Sequence, residues 1–98
     1  MVLENYETVA ERIEKFWIKY PSGRIHTQLI HQDGTRYIAQ CDLYKDVTDP
    51  FPFATDYAEE IRTTNNRFPA ENALTSAIGR SLHTGDISKF SEGKPRPS

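Results

Sequence analysis

The spacing of apolar residues between positions 68 and 85 predicts one helix. Along FPAENALTSAIGRSLHTG, apolar side chains recur at intervals of three and four, which is typical of one face of a helix. Pro69 suits the first helical position, and Gly85 suits the position just beyond the last turn. The apolar stripe consists of Ala70, Ala73, Leu74, Ala77, Ile78 and Leu82.

The opposite side of the same helix carries a polar stripe. Asn72, Ser76, Gly79 and His83 follow one another at helical spacing, and Arg80 stands at the border of the stripe. A glycine inside a helix costs about 1 kcal/mol relative to alanine. Gly79 therefore indicates either a tolerated position on a solvated face or a surface that another backbone approaches closely. That second backbone could belong to protein or to nucleic acid.

A first helix is predicted over residues 5–20. Its charged residues lie largely off one apolar and aromatic face, so the charges form a solvated side. Pro21, Ser22 and Gly23 end the helix. The apolar face comprises Tyr6, Val9, Ala10, Ile13, Phe16, Trp17 and Tyr20.

Residues 24–45 predict a β-hairpin, and the length of its loop decides the register. A two-residue turn at Asp33-Gly34 would place Leu29 opposite Ile38 and would mix apolar and polar side chains on both faces. A three-residue loop over 32–34, with Gly34 left-handed in a bulge, keeps one face apolar, and we prefer it. It pairs Leu29 with Tyr37, Thr27 with Ala39 and Ile25 with Cys41.

The outer face of this hairpin is more apolar than a solvated face requires. Ile30, Ile38 and Tyr44 lie on it, which predicts a subunit interface there. His26 and His31 are five positions apart on one strand and are expected on opposite faces, so we predict no shared metal site.

The segment 53–62 fits either a strand or a helix capped by Thr55, and we predict a strand. The fold class is then α+β, in the order α-β-β-β-α, with helices packed on a small three-stranded antiparallel sheet. We predict a single domain over residues 1–85 and a polar tail over 86–98. Open sheet edges and a thin core favour a homo-oligomer.

Composition narrows the possible functions. The 98 residues carry a net charge of −2, which argues against strong nonspecific binding to a duplex. No run of consecutive apolar residues approaches the roughly 20 that a membrane-spanning helix needs, so we predict no such helix. A single cysteine, Cys41, fits a reducing compartment, so we expect a cytoplasmic protein. No catalytic motif is present, and we predict a protein that is not an enzyme and has no metal and no cofactor.

Basic residues cluster around the predicted last helix. Arg62, Arg67 and Arg80 bracket the turn and the helix. The tail adds Lys89, Lys94 and Arg96. Single-strand binders combine such a cationic track with stacking aromatic side chains. The alternative interpretation is that these arginines are ordinary surface charges.

Three segments resemble small phage proteins of actinobacterial hosts. They are ERIEKFWIKYPSGRIHTQLI at residues 11–30, ATDYAEE at 54–60 and ENALTSAIGRSL at 71–82. Those phage proteins are distantly similar to phage single-strand annealing proteins of the essential-recombination-function type. Asp56 departs from the pattern, because glycine is frequent there.

The resemblance implies binding of single-stranded nucleic acid by an oligomer, without bond chemistry. On this hypothesis three arginines neutralise phosphates, two polar side chains donate hydrogen bonds, and a glycine permits close approach. An alternative is a protein-interaction module that binds a host factor during infection, and a third is an assembly role through self-association. The predicted nucleic-acid-binding residues are Arg62, Arg67, Asn72, Ser76, Gly79 and Arg80.

Overall fold

The computed structural model describes residues 8–87 and confirms the predicted order of elements. The three strands form one antiparallel sheet in the order β1-β2-β3, so β1 and β3 are its edges. The tail residues 88–98, which include Lys89, Lys94 and Arg96, lie outside the described part of the chain. The elements are α1 (Val9–Lys19), β1 (Arg24–Gln32), β2 (Arg36–Tyr44), β3 (Ala54–Ile61) and α2 (Pro69–Thr84).

Helix α1 begins at a capping box. The amide of Glu11 donates to the Thr8 hydroxyl oxygen at 3.1 Å, and the amide of Thr8 donates to the Glu11 carboxylate at 2.8 Å. Phe16 is fully buried and lies over Gly23, where a Cβ atom would come within 2.6 Å of the Tyr44 carbonyl oxygen. The turn after α1 therefore has to carry glycine, because the Phe16 ring and the Tyr44 carbonyl both approach this position closely.

The hairpin joins β1 and β2 in a register that differs from both registers considered from the sequence. The amide of Asp33 donates to the carbonyl of Arg36 at 3.2 Å, so the turn is centred on Gly34 and Thr35. Gly34 has a φ of 91°, which confirms its predicted left-handed conformation but places it in the turn. The Asp33 carboxylate accepts the amides of Thr35 and Arg36, and these two bonds fix the turn.

A β-bulge at Ile30 restores the predicted faces of the hairpin. The pairing runs Gln32 to Tyr37 and His31 to Ile38, then skips Ile30 and continues with Leu29 to Ala39. The predicted pairs were wrong by two residues for Ile25, Thr27 and Leu29, and a shift of two keeps these side chains and those of β2 on their predicted faces. The bulge also puts His31 opposite Ile38, so His26 and His31 both lie on the outer face, contrary to expectation.

Segment 53–62 forms an edge strand, as predicted. Strand β3 pairs antiparallel with β2, and Ala54 and Ala58 are buried on the face that α2 covers. Tyr57 and Ile61 lie on the other face, with 48% and 42% of their surface exposed. Small residues under α2 let this helix pack close to the sheet.

The core lies between the helices and the sheet. In its centre the fully buried Ser81 hydroxyl donates to the backbone carbonyl of Cys41 at 2.7 Å. Cys41 is buried, as predicted, and burial raises the pKa of its thiol to about 11. The buried apolar residues are Phe16, Tyr37, Ala39, Cys41, Leu43, Ala54, Ala58, Ala73, Ala77, Leu82 and Ile87.

No element among residues 8–87 covers the outer face of the sheet. Ile30 is 48% exposed there, Ile38 and Tyr44 are half-buried, and the guanidinium of Arg24 lies over the Tyr44 ring. The interface predicted at Ile30, Ile38 and Tyr44 stays a prediction. Neither described helix is long and apolar enough to cross a membrane.

Candidate nucleic-acid interface

An open groove of about 420 Å³ is lined by residues of α1, α2 and β3. It is bounded by the first turns of α1 on one side and by β3 on the other. Three of the predicted binding residues meet in it: Ser76, Gly79 and Arg80. The complete lining is Val9 and Arg12 from α1, Asp56 from β3, and Ser76, Gly79, Arg80 and His83 from α2.

Gly79 is where α1 packs against α2. A Cβ atom at this position would lie 2.9 Å from Cγ2 of Val9, closer than carbon atoms approach without strain. Nη1 of Arg12 donates to the Gly79 carbonyl oxygen at 3.3 Å across the same contact. The close approach that this glycine indicated is therefore made by α1 of the same chain, and Gly79 itself is buried.

Asp56 places a negative charge in the groove. Its carboxylate accepts the hydroxyl of Thr84 at 2.7 Å and the amide of Tyr57 at 2.8 Å. These two hydrogen bonds, followed by the nearby charges of Arg80 and His83, lower the pKa of Asp56, so the group is ionised at neutral pH.

The cationic side of the groove comes from two arginines, and the imidazole of His83 lies beside them. Arg80 and His83 are exposed on α2, and Arg12 reaches the groove from α1. Within residues 8–87, the guanidinium of Arg80 makes no hydrogen bond, which leaves its donors for a ligand. With the half-buried hydroxyl of Ser76, the groove presents guanidinium, imidazole and hydroxyl donors beside one carboxylate.

The other predicted residues lie at the opposite end of α2, near the hairpin turn. The Arg62 guanidinium donates to the Gly34 carbonyl at 3.0 Å, to the Tyr37 hydroxyl at 3.0 Å and to the Arg67 carbonyl at 3.4 Å. Its amide also donates to the Thr35 carbonyl. Arg62 thus joins the hairpin turn to the segment before α2 through three of its five guanidinium N–H donors, and its assignment to phosphate stays a prediction.

The start of α2 carries charges of both signs. Asn72 donates to the side-chain oxygen of Asn66 at 2.7 Å, and Arg67 is exposed beside them. The first turn contains Glu71, and Phe68, which precedes the helix, is 66% exposed. The predicted residues therefore fall into two groups, and the sequence did not indicate Arg12 or Asp56 as members of the groove. The one available signal was the departure at Asp56 from the glycine of the phage pattern.

Comparison with known proteins adds one finding. Residues 13–84 match the family described as Slr1353 N-terminal dsRNA-binding domain-like. The matched region runs from the middle of α1 to the last residue of α2 and includes the whole sheet. No curated protein and no solved structure matches the chain. Among residues 8–87, no three His, Cys, Asp or Glu side chains are grouped as metal ligands.

Proposed function

Because the chain belongs to the Slr1353 N-terminal dsRNA-binding domain-like family, we propose that it binds double-stranded RNA. The observation that carries this proposal is the extent of the match, which includes the second half of α1, all three strands and the whole of α2. A-form RNA is recognised mainly through its shape, its phosphates and its 2′-hydroxyl groups. A preformed, rigid surface on two packed helices suits that kind of recognition.

The net charge of the protein predicts a modest affinity for duplex RNA. Nonspecific binding to a duplex comes from neutralised phosphates, and this chain has a net charge of −2. The groove concentrates Arg12, Arg80 and His83 on one side of the domain. We assign the phosphate contacts to this groove, with Arg67 as a further exposed cation at the start of α2.

The phage resemblance leads to a finer proposal. It implies single-stranded nucleic acid, an annealing activity and a homo-oligomer, whereas the matched family is described by its likeness to domains that bind duplex RNA. Both proposals place nucleic acid on α2 and require no catalysis. They differ in the strandedness of the ligand, which can be measured directly.

The test is fluorescence anisotropy with labelled RNA and DNA, each single-stranded and duplex, at low and moderate salt. Duplexes of about 20 base pairs exceed the roughly 16 that a domain of this class spans. We expect salt-sensitive binding that is tightest for duplex RNA. Tighter binding to single strands would favour the annealing-like proposal, and absence of binding to all four ligands at low salt would refute both.

A second candidate function is protein binding through the outer face of the sheet. The observation that favours it is the group of large apolar side chains left exposed there, Ile30, Tyr57 and Ile61. The immobilised protein would be incubated with nuclease-treated bacterial lysate. A stoichiometric partner that is lost with Ile30→Glu but kept with Arg80→Ala would support this function. Equal capture by both variants would exclude this face.

A further inference from the structure

Asp56 is an unexpected residue in a groove that binds phosphate. A carboxylate repels a phosphodiester, and the two hydrogen bonds from Thr84 and Tyr57 hold this one in place and keep it ionised. RNA, however, carries a hydrogen-bond donor beside every phosphate, because each ribose has a 2′-hydroxyl group. A guanidinium can bind the phosphate of a nucleotide while a neighbouring carboxylate accepts a hydrogen bond from the 2′-hydroxyl beside it.

The geometry of Asp56 leaves room for such a donor. An ionised carboxylate has about four acceptor sites, and the structure uses one on each oxygen. The side chain is half-buried at the edge of the groove, so it is accessible and still fixed in direction. The groove volume of about 420 Å³ admits one ribose with its phosphate.

We infer that the groove distinguishes ribose from deoxyribose, with Asp56 accepting the 2′-hydroxyl of a nucleotide whose phosphate is bound by Arg80 and Ser76. This inference rests on the proposed function, since it requires RNA to bind on α2. In an A-form duplex the 2′-hydroxyl groups line the wide, shallow minor groove, where a helix surface reaches them.

The experiment compares a normal RNA duplex with an all-2′-fluoro duplex of the same sequence. The fluoro duplex keeps the A-form but has no hydroxyl hydrogen to donate, so shape and charge are held constant. We expect the wild-type protein to prefer the normal duplex by about fivefold or more, since a hydrogen bond to a charged group is lost. In Asp56→Asn the preference should fall at least threefold, while binding to the fluoro duplex should strengthen because a repulsive charge is removed.

The matched control is Glu59→Gln, which changes the net charge equally on the outer face of the sheet, where Glu59 pairs with Arg36 at 2.8 Å. It should leave the ratio of the two affinities at the wild-type value. Should Asp56→Asn fail to fold, an NMR titration of the wild-type protein decides. The Tyr57 amide, which donates to Asp56, should shift with the normal duplex more than with the fluoro duplex.

The outcomes separate the two proposals. The ribose inference would be overturned if the wild-type protein bound both duplexes equally. It would also be overturned if Asp56→Asn preferred the normal duplex over the fluoro duplex as strongly as the wild-type protein does. Either result would leave RNA binding intact. Failure of the wild-type protein to bind either duplex at low salt would refute the proposed function and with it this inference.

Discussion

Gly79 of α2 lies directly against Val9 of α1, since a methyl group on the Cα atom of Gly79 would lie 2.9 Å from Cγ2 of Val9. The Arg12 guanidinium, also on α1, donates a hydrogen bond to the Gly79 carbonyl. The position of α1, and hence one wall of the groove, depends on this glycine.

Gly79→Ala should destabilise the protein by about 1 kcal/mol. Alanine improves helix propensity by about 1 kcal/mol, but overpacking against a stiff β-branched side chain costs about 1–3 kcal/mol. Urea unfolding of Gly79→Ala, Val9→Ala and the double variant measures the balance. In the Val9→Ala background the same substitution should be neutral or stabilising. Additive effects would show that the two residues are not coupled.

Arg80→Ala should weaken binding to duplex RNA without affecting stability. Arg80 is exposed and makes no hydrogen bond among the described residues, so its removal takes away one phosphate contact and little else. The slope of log affinity against log salt should decrease by about one contact. Anisotropy titrations at several salt concentrations check this. An unchanged slope and affinity would remove Arg80 from the interface.

Arg62→Ala should lower stability without weakening the binding of RNA by the folded protein. Its guanidinium holds the carbonyls of Gly34 and Arg67 and the hydroxyl of Tyr37, so the loss should appear as a decrease of about 1 kcal/mol in the free energy of unfolding. Binding by the folded fraction should keep the wild-type salt slope. Arg62→Lys should not rescue stability, since an ammonium group lacks the planar fork. A reduced salt slope in Arg62→Ala would return Arg62 to the interface.

Ser81→Ala should cost about 1–2 kcal/mol of stability. The fully buried Ser81 hydroxyl donates to the Cys41 carbonyl at 2.7 Å, and its removal leaves that buried acceptor short of a partner. Ser76→Ala is the matched control on the same helix. It should stay within about 0.5 kcal/mol of wild type, because Ser76 lies in the open groove. Equal effects in thermal unfolding would contradict the assigned role of Ser81.

Asp33 should contribute to acid sensitivity. Hydrogen bonds from the Arg36 amide, the His31 ring and the Thr35 amide hold its pKa well below the ordinary value. A pKa lowered by folding gives stability that is present above the unfolded-state pKa of about 3.9 and is lost as the pH falls through the native pKa. Asp33→Asn should therefore flatten the dependence of the urea midpoint on pH below about pH 5. If the urea midpoint of Asp33→Asn depended on low pH as that of the wild-type protein does, Asp33 would not be a source of the acid sensitivity.

The fold was predictable because most of it depends on periodic patterns. The stripe of α2 and the alternation of β2 each indicate a buried face without knowledge of the partner. The register of the hairpin depended on the Asp33 turn and on the bulge at Ile30, and neither changes the alternation of apolar residues enough to be seen.

The candidate site was less predictable, because it is assembled from three elements. Ser76 and Arg80 could be placed on one helix face from their spacing. Arg12 joins them only through the contact of α1 with Gly79, and Asp56 joins them only through the packing of α2 against β3. The charge of Arg62 is visible in the sequence and predicts a phosphate contact, whereas the backbone carbonyls that it binds are visible only in the structure.

The bonding at the two edges of the sheet determines how copies of this chain can meet. On β3 the Tyr57 amide is already taken by the neighbouring Asp56 carboxylate, and on β1 the bulge at Ile30 interrupts the ladder. A further strand would therefore meet one interruption on each edge, and such interruptions disfavour growth into extended sheets and fibrils.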